Sequence, residues 1–226
     1  RRRCDMSNRF AVILTHNRPE LLQECVAAIT PQVDVVIVID NASDPPVDET
    51  TLPDIVLMPV AEQPPNLARM WNLGIDMSIL MALNDDPDLY IAFLCDDAIA
   101  PSGWFAAVTE AMAATGAAAG CSNPWGNAHP PQLKTAPDSD LMGRMVGWAF
   151  VLDASKGLRA DERLRWWWQD TMIDWAARGA GGMVMIGGYP VPNRLPNDFT
   201  CNVPGLGEQA ARDGDMFAQI HGSRPW

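Results

Sequence analysis

Lysine is nearly missing from this chain. Lys134 and Lys156 are its only two, against 14 Arg in 226 residues. Acids outnumber bases 28 to 16, and the formal net charge is -12. Such a balance lacks the basic footprint that a broad, nonspecific grip on a nucleic-acid backbone needs, though it leaves room for an enzyme that meets nucleic acid at one reactive group. No Cys-x-x-Cys spacing occurs among Cys4, Cys25, Cys95, Cys121 and Cys201, which argues against a zinc knuckle or a dithiol redox motif. Reduced thiols in a cytoplasmic protein are the expectation. No apolar run reaches the length of a membrane span, and no basic amphipathic stretch suggests surface attachment, so membrane insertion is not expected. The opening Arg1-Arg2-Arg3-Cys4-Asp5 has no apolar segment of the kind a signal peptide carries.

What is present suffices for a core. Apolar residues make up 48% and charged residues 19%, a composition of folded rather than disordered chains. The length fits one domain that needs no disulfide staples. Aspartate outnumbers glutamate 21 to 7. Asp favours turns, caps and metals, and Arg forks phosphate oxygens where Lys cannot. A loop-built site for a metal and a phosphorylated ligand fits that bias, although a GC-rich genome raises Arg equally.

Apolar runs place the elements. Phe10–Leu14, Val33–Ile39, Ile55–Met58 and Leu89–Leu94 read as strands buried on both faces. Helical spacing covers Glu20–Ile29 after Pro19, then Leu67–Leu83 and Trp104–Thr115. The second half predicts strands at Ala117–Cys121, Met145–Leu152 and Met183–Ile186. A helix is expected over Arg165–Arg178, closed by Gly179, and another over Glu208–Ile220. Residues 122–143 and 187–207, rich in Pro and Gly, read as loops. Alternating strands and helices predict an α/β fold with one mostly parallel, Rossmann-like sheet flanked by helices. Ligands bind such sheets beyond the carboxyl ends of the strands. Thr15 to Arg18, Asp40 to Ser43 and Cys95 to Asp97 should therefore line one crevice. Asp96 and Asp97 are adjacent carboxylates at a strand end, which a cation or a solvated turn would accommodate.

Four segments, in order, resemble the family 2 glycosyltransferases, which have the GT-A fold. The first is AVILTHNRPELLQECVAAITPQVDVVIVIDNASD. The second is PPNLARMWNLGID, carrying Asn66, Asn72 and Gly74. The third is FLCDDAIAPSGWF, similar to the metal-binding D-x-D region. The fourth is DERLRWWWQDTMIDWAARGAGG, similar to the block that holds the catalytic base. The resemblance implies one continuous domain, with residues 1–120 binding a nucleotide sugar and 121–226 forming an acceptor-binding and catalytic-base half with an irregular tail. It implies an inverting transfer from a UDP-sugar to an acceptor hydroxyl, aided by Mn2+ or Mg2+.

By the same resemblance, Thr15, His16 and Asn17 line the base, His16 offering its ring to the uracil. Arg18 lies nearby or bridges to a carboxylate. Asp40 accepts from the base or a ribose hydroxyl. Arg69 reaches a phosphate or Asp96, or is a solvated helix residue. Asn66 and Asn72 line the donor or act as a cap and a packing amide. Asp96 holds the ribose or sugar, and Asp97 the metal. His221 is the candidate to complete the metal shell, or an idle tail residue; His129 is a loop residue. Asp170 is the general base, with Asp174, four residues on, as its rival. Trp148 and Trp168 form an acceptor wall. On a helix, Trp166, Trp167 and Trp168 would point about 100 degrees apart, leaving at least one exposed. Two departures stand out: Cys95 occupies the first acidic place of D-x-D, and Gln169 replaces the Glu beside the base. The acceptor is a protein, a glycan or a modified nucleic-acid base. Two further readings keep the chemistry open: a sugar-nucleotide-binding module with little catalysis, and a nucleotidyltransferase. THNRPE lacks the glycine-rich phosphate loop that a nucleotidyltransferase wants.

Overall fold

The computed structural model describes residues 9–52, 54–82, 89–136, 143–195 and 204–222. Cys4, Cys201 and the expected helix end at Leu83 lie outside them. Among the described residues, eight strands form one sheet in the order β3-β2-β1-β4-β7-β5-β8-β6. These are β1 (Arg9–Thr15), β2 (Val35–Asn41), β3 (Ile55–Val60), β4 (Tyr90–Cys95), β5 (Ala119–Ser122), β6 (Gln132–Lys134), β7 (Ala149–Asp153) and β8 (Met183–Ile186). The helices are α1 (Pro19–Ile29), α2 (Leu67–Met81), α3 (Trp104–Thr115), α4 (Gln169–Gly179) and α5 (Leu206–His221).

Strands β1 to β4 pair in parallel, as expected. β7 then runs antiparallel to both β4 and β5. Strand order reverses at β1, which has β2 on one side and β4 on the other. In a doubly wound sheet this reversal opens a crevice at the carboxyl ends, here at Thr15 and Cys95.

The two-residue period of the strands divides the core. Ala11, Ile13, Val36, Val38, Ala92 and Leu94 face α1 and α3. Phe10, Val12, Ile37, Ile39, Ile91 and Phe93 face α2 and α4. On that second face Phe93 stacks on Phe150, and Trp71 meets Phe150 edge-on, each with ring centroids 5.1 Å apart. Gly74 lets α2 press onto β1: a β-carbon there would stand 2.5 Å from Val12 Cγ1.

Three expectations are corrected. The helix expected from Arg165 begins at Gln169. The backbone N–H groups of Arg165, Trp166 and Trp167 all donate to the Asp213 carboxylate, at 2.9 to 3.0 Å, and Trp168 takes the left-handed conformation with φ 69°. The three tryptophans therefore sit in the turn before α4, and helical geometry does not govern them. The strand expected from Met145 begins at Ala149, because Gly147 and Trp148 form a turn. The expected loop 122–143 contains β6, an edge strand paired with β8.

Candidate active site

Two loops at the ends of β1 and β2 are laced together. His16 Nδ1 lies 2.7 Å from the Asn41 carbonyl. A carbonyl only accepts, so Nδ1 carries the proton and Nε2 is left to accept from the Asn17 side chain at 3.1 Å. Asn17 N–H donates to Ser43 Oγ, and Asp44 N–H donates to Asn17 Oδ1. The His16 ring remains exposed. Asp40 is buried and accepts from Ser43 N–H, Ser43 Oγ and Val47 N–H. In the structure it clamps its own loop.

At the end of β4 the Asp96 carboxylate is buried and held on both oxygens. Thr15 Oγ1 donates to one at 2.9 Å and Arg18 Nη1 to the other at 3.0 Å. Asp97, also buried, accepts from Leu195 N–H at 3.2 Å, and its carbonyl accepts from Arg194 N–H. The tail after β8 is thereby pinned to the strand end. Burial pushes both carboxyls above the ordinary carboxylate range; Arg18 and these hydrogen bonds oppose it.

These residues fit a divalent cation in one particular way. Arg18 is the guanidinium bonded to Asp96, and two buried carboxylates outnumber it. Asp97 accepts from Leu195 on one oxygen and, among the described residues, forms no ion pair. Among the described residues no group of three or more His, Cys, Asp or Glu side chains gathers as a cage. The donor set suits an ion held by one or two carboxylates that takes its other oxygens from water and a bound phosphate, as Mg2+ commonly does. His221 packs its ring against Trp175 and Phe217 on the α4–α5 side, and burial lowers its pKa.

Asp170 reaches the same crevice by a different path. Cys95 N–H donates to the Trp148 carbonyl at 3.0 Å. A β-carbon on the neighbouring Gly147 would stand 3.0 Å from Asp170 Oδ2. The Cys95 thiol is pushed upward by desolvation first, then by the charges of Asp97 and Asp96, with a smaller push from Asp170; Arg18 opposes them. The turn at Gly147 and Trp148 thus links Asp170 to the end of β4. Asp170 Oδ1 accepts from Thr171 N–H at 2.8 Å. Desolvation raises its pKa, and Asp174 adds to the rise while Arg144 opposes it. Asp174 is engaged elsewhere. Arg178 grips it through Nε at 2.9 Å and Nη2 at 2.8 Å, both side chains essentially without exposure. Among the described residues, Asp170 is the rival that forms no ion pair.

The remaining candidates support the site from outside. Asn66 caps α2 by accepting from Arg69 N–H. Asn72 exchanges hydrogen bonds with the Ala160 backbone and donates to Glu162. Both amides strap residues 160–162 onto α2, the cap and packing roles. Arg69 turns to Glu62 at 3.4 Å and is mostly exposed, leaving Asp96 to Arg18. Trp148 is half-buried and donates its indole N–H to the Val191 carbonyl. Trp168 is half-buried at the start of α4. Residue patterns missed Asp213, whose partners lie 46 to 48 positions away, and also missed buried Arg144, 3.4 Å from Thr171 Oγ1.

No protein-family profile and no curated protein matches the sequence. Solved structures do match in fold. S. aureus TarS 1-349 aligns with a TM-score of 0.61 at 10% identity, covering 95% of this chain and 74% of that one. The same fragment in complex with UDP-GlcNAc gives a TM-score of 0.66 at 10% identity, covering 93% and 66%. A longer TarS structure gives 0.60 at 12%, and this chain spans 42% of its length. Among the described residues no helix is long and apolar enough to cross a membrane. The fold is therefore a GT-A-like α/β fold shared with those structures, with a single eight-stranded sheet flanked by helices.

Proposed function

We propose that this protein is an inverting glycosyltransferase, of the family 2 type, that moves a sugar from a UDP-sugar to an acceptor hydroxyl. The observation that carries the reading is a pair of buried carboxylates, Asp96 and Asp97, at the strand-order reversal, tied through the Trp148 carbonyl to the turn against which Asp170 packs. TarS structures of the same fold hold UDP-GlcNAc and UDP, which favours a uridine nucleotide over other ligands of α/β sheets.

In this reading the exposed His16 ring meets the base, and Thr15, Asn17, Arg18 and Asp40 form the floor beneath it. Asp97 would hold Mn2+ or Mg2+ with Asp96 beside it; when bound, the ion neutralises charge on the departing diphosphate. Asp170 takes the proton of the acceptor hydroxyl as that oxygen attacks the anomeric carbon. Its raised pKa brings the carboxylate closer to the pKa of a general base at neutral pH. Trp148 and Trp168 wall the acceptor side, where sugar CH faces stack on aromatic rings. The free thiols of Cys25, Cys95 and Cys121 agree with a cytoplasmic setting. Incubation with Mn2+ and a panel of nucleotide sugars should release UDP slowly by hydrolysis. A folded protein that binds none of the panel would sink the reading.

A further inference from the structure

A second polar site lies outside this crevice. Pro64, Arg163, Arg165, Arg212, Asp213 and Met216, with Gln209, line a cavity of about 400 Å³. None of these is a residue of the β1, β2 or β4 ends. Three guanidiniums around one cavity are conspicuous in a chain of net charge -12 with 14 Arg in all.

Among the residues that line the cavity, three guanidiniums meet one carboxylate, Asp213. Asp213 is 1% exposed and has both oxygens filled: Arg165 N–H and Gln209 Nε2 on one, Trp166 and Trp167 N–H on the other. Arg163 gives Nε and Nη2 to Asp161 and, among the described residues, keeps Nη1 unbonded. Arg212 is occupied by Gln209, and its contact with the exposed Glu208 is loose at 3.6 Å. The Arg165 guanidinium has no partner among the described residues, yet its backbone is fixed on both sides. Its N–H is held by Asp213, and its carbonyl accepts from Leu67 N–H at 2.6 Å. The anchored backbone keeps this guanidinium, which has no partner among the described residues, at the wall of the cavity. Its fork of donors, with Arg163 Nη1 beside it, suits a multi-oxygen anion. Pro64 and Met216 supply an apolar wall for the rest of such a molecule.

We propose that this cavity is a phosphate-binding site, and that it takes a phosphate group of a ligand other than the donor nucleotide. If the protein is a transferase, that ligand is its second substrate; the site itself does not depend on that reading.

The test is calorimetric titration of the full chain with inorganic phosphate, for the wild type, Arg165→Gln and Arg159→Gln. Arg159 is an exposed arginine paired with Asp76, away from the cavity. The expected result is saturable phosphate binding, weakened about tenfold or more by Arg165→Gln and unchanged by Arg159→Gln, with equal thermal melts. Absent phosphate binding, or equal affinity in Arg165→Gln, overturns the proposal. Repeating the titration with saturating UDP separates the sources of phosphate. Unchanged phosphate binding supports a site apart from the donor, and displacement by UDP overturns that assignment. UDP binding, measured in the same series, reports on the transferase reading separately.

Discussion

Gly147 and Asp170 sit so close that a β-carbon on the glycine would lie 3.0 Å from Asp170 Oδ2 and 3.1 Å from its Cβ. The absence of a side chain at 147 is what lets the carboxylate stand against the turn that leads into β7. From that turn, the Trp148 carbonyl reaches the end of β4. Gly147→Ala should push Asp170 aside by a few tenths of an ångström or more. Misplacement of a catalytic group on that scale can lower kcat by orders of magnitude. The expected outcome is loss of transfer, about tenfold to a hundredfold, with UDP affinity intact, measured by UDP release and by calorimetry.

Asp170 and Asp174 should part company in stability. The folded-state pKa of Asp170 is raised above its unfolded value. The folded protein therefore binds that proton more tightly, and stability is lost as pH rises through the raised pKa. Asp170→Asn should raise Tm at pH 7, by about 2 to 4 °C for each kcal/mol recovered. The gain should shrink as pH falls toward the ordinary Asp value near ~4. Asp174→Asn instead breaks the buried pair with Arg178 and should cost about 3 to 5 kcal/mol. Thermal and urea melts of both variants at pH 7, and of Asp170→Asn down to pH 4, read the contrast directly.

Asp213→Ala should unmoor the tryptophan turn. It leaves three backbone N–H groups without their acceptor, at a cost of about 3 kcal/mol or more. Near-UV circular dichroism should lose signal from Trp166, Trp167 and Trp168, while the far-UV spectrum changes little.

The sheet was largely legible because its signal is local. VDVVIVI and LYIAFL can be covered on both faces in few ways, and each run ends in polar residues that must lie at a sheet edge. The start of α4 was illegible because its cause is remote: Asp213 gathers the N–H groups of Arg165, Trp166 and Trp167 into a turn, and Trp168 takes a left-handed conformation that no helix carries before α4 begins at Gln169. β6 was hidden because an edge strand of three residues, Gln132–Lys134, carries little hydrophobic signal. At the candidate site, residue types singled out Asp96, Asp97 and Asp170 as the carboxylates to test. Partner choice was less visible, since whether Arg18 or Arg69 reaches Asp96 depends on folded geometry. Arg18 leaves the end of β1 beside β4, whereas Arg69 lies on α2 and meets Glu62.

The most direct test compares Asp170→Asn with the wild type on a UDP-sugar that the wild type hydrolyses or transfers in Mn2+. Nucleotide-sugar affinity is measured by calorimetry on the same samples. A general-base role predicts that Asp170→Asn binds the UDP-sugar as the wild type does and transfers it at least about a hundredfold more slowly. Transfer at the wild-type rate, or loss of binding together with activity in a folded variant, would contradict it.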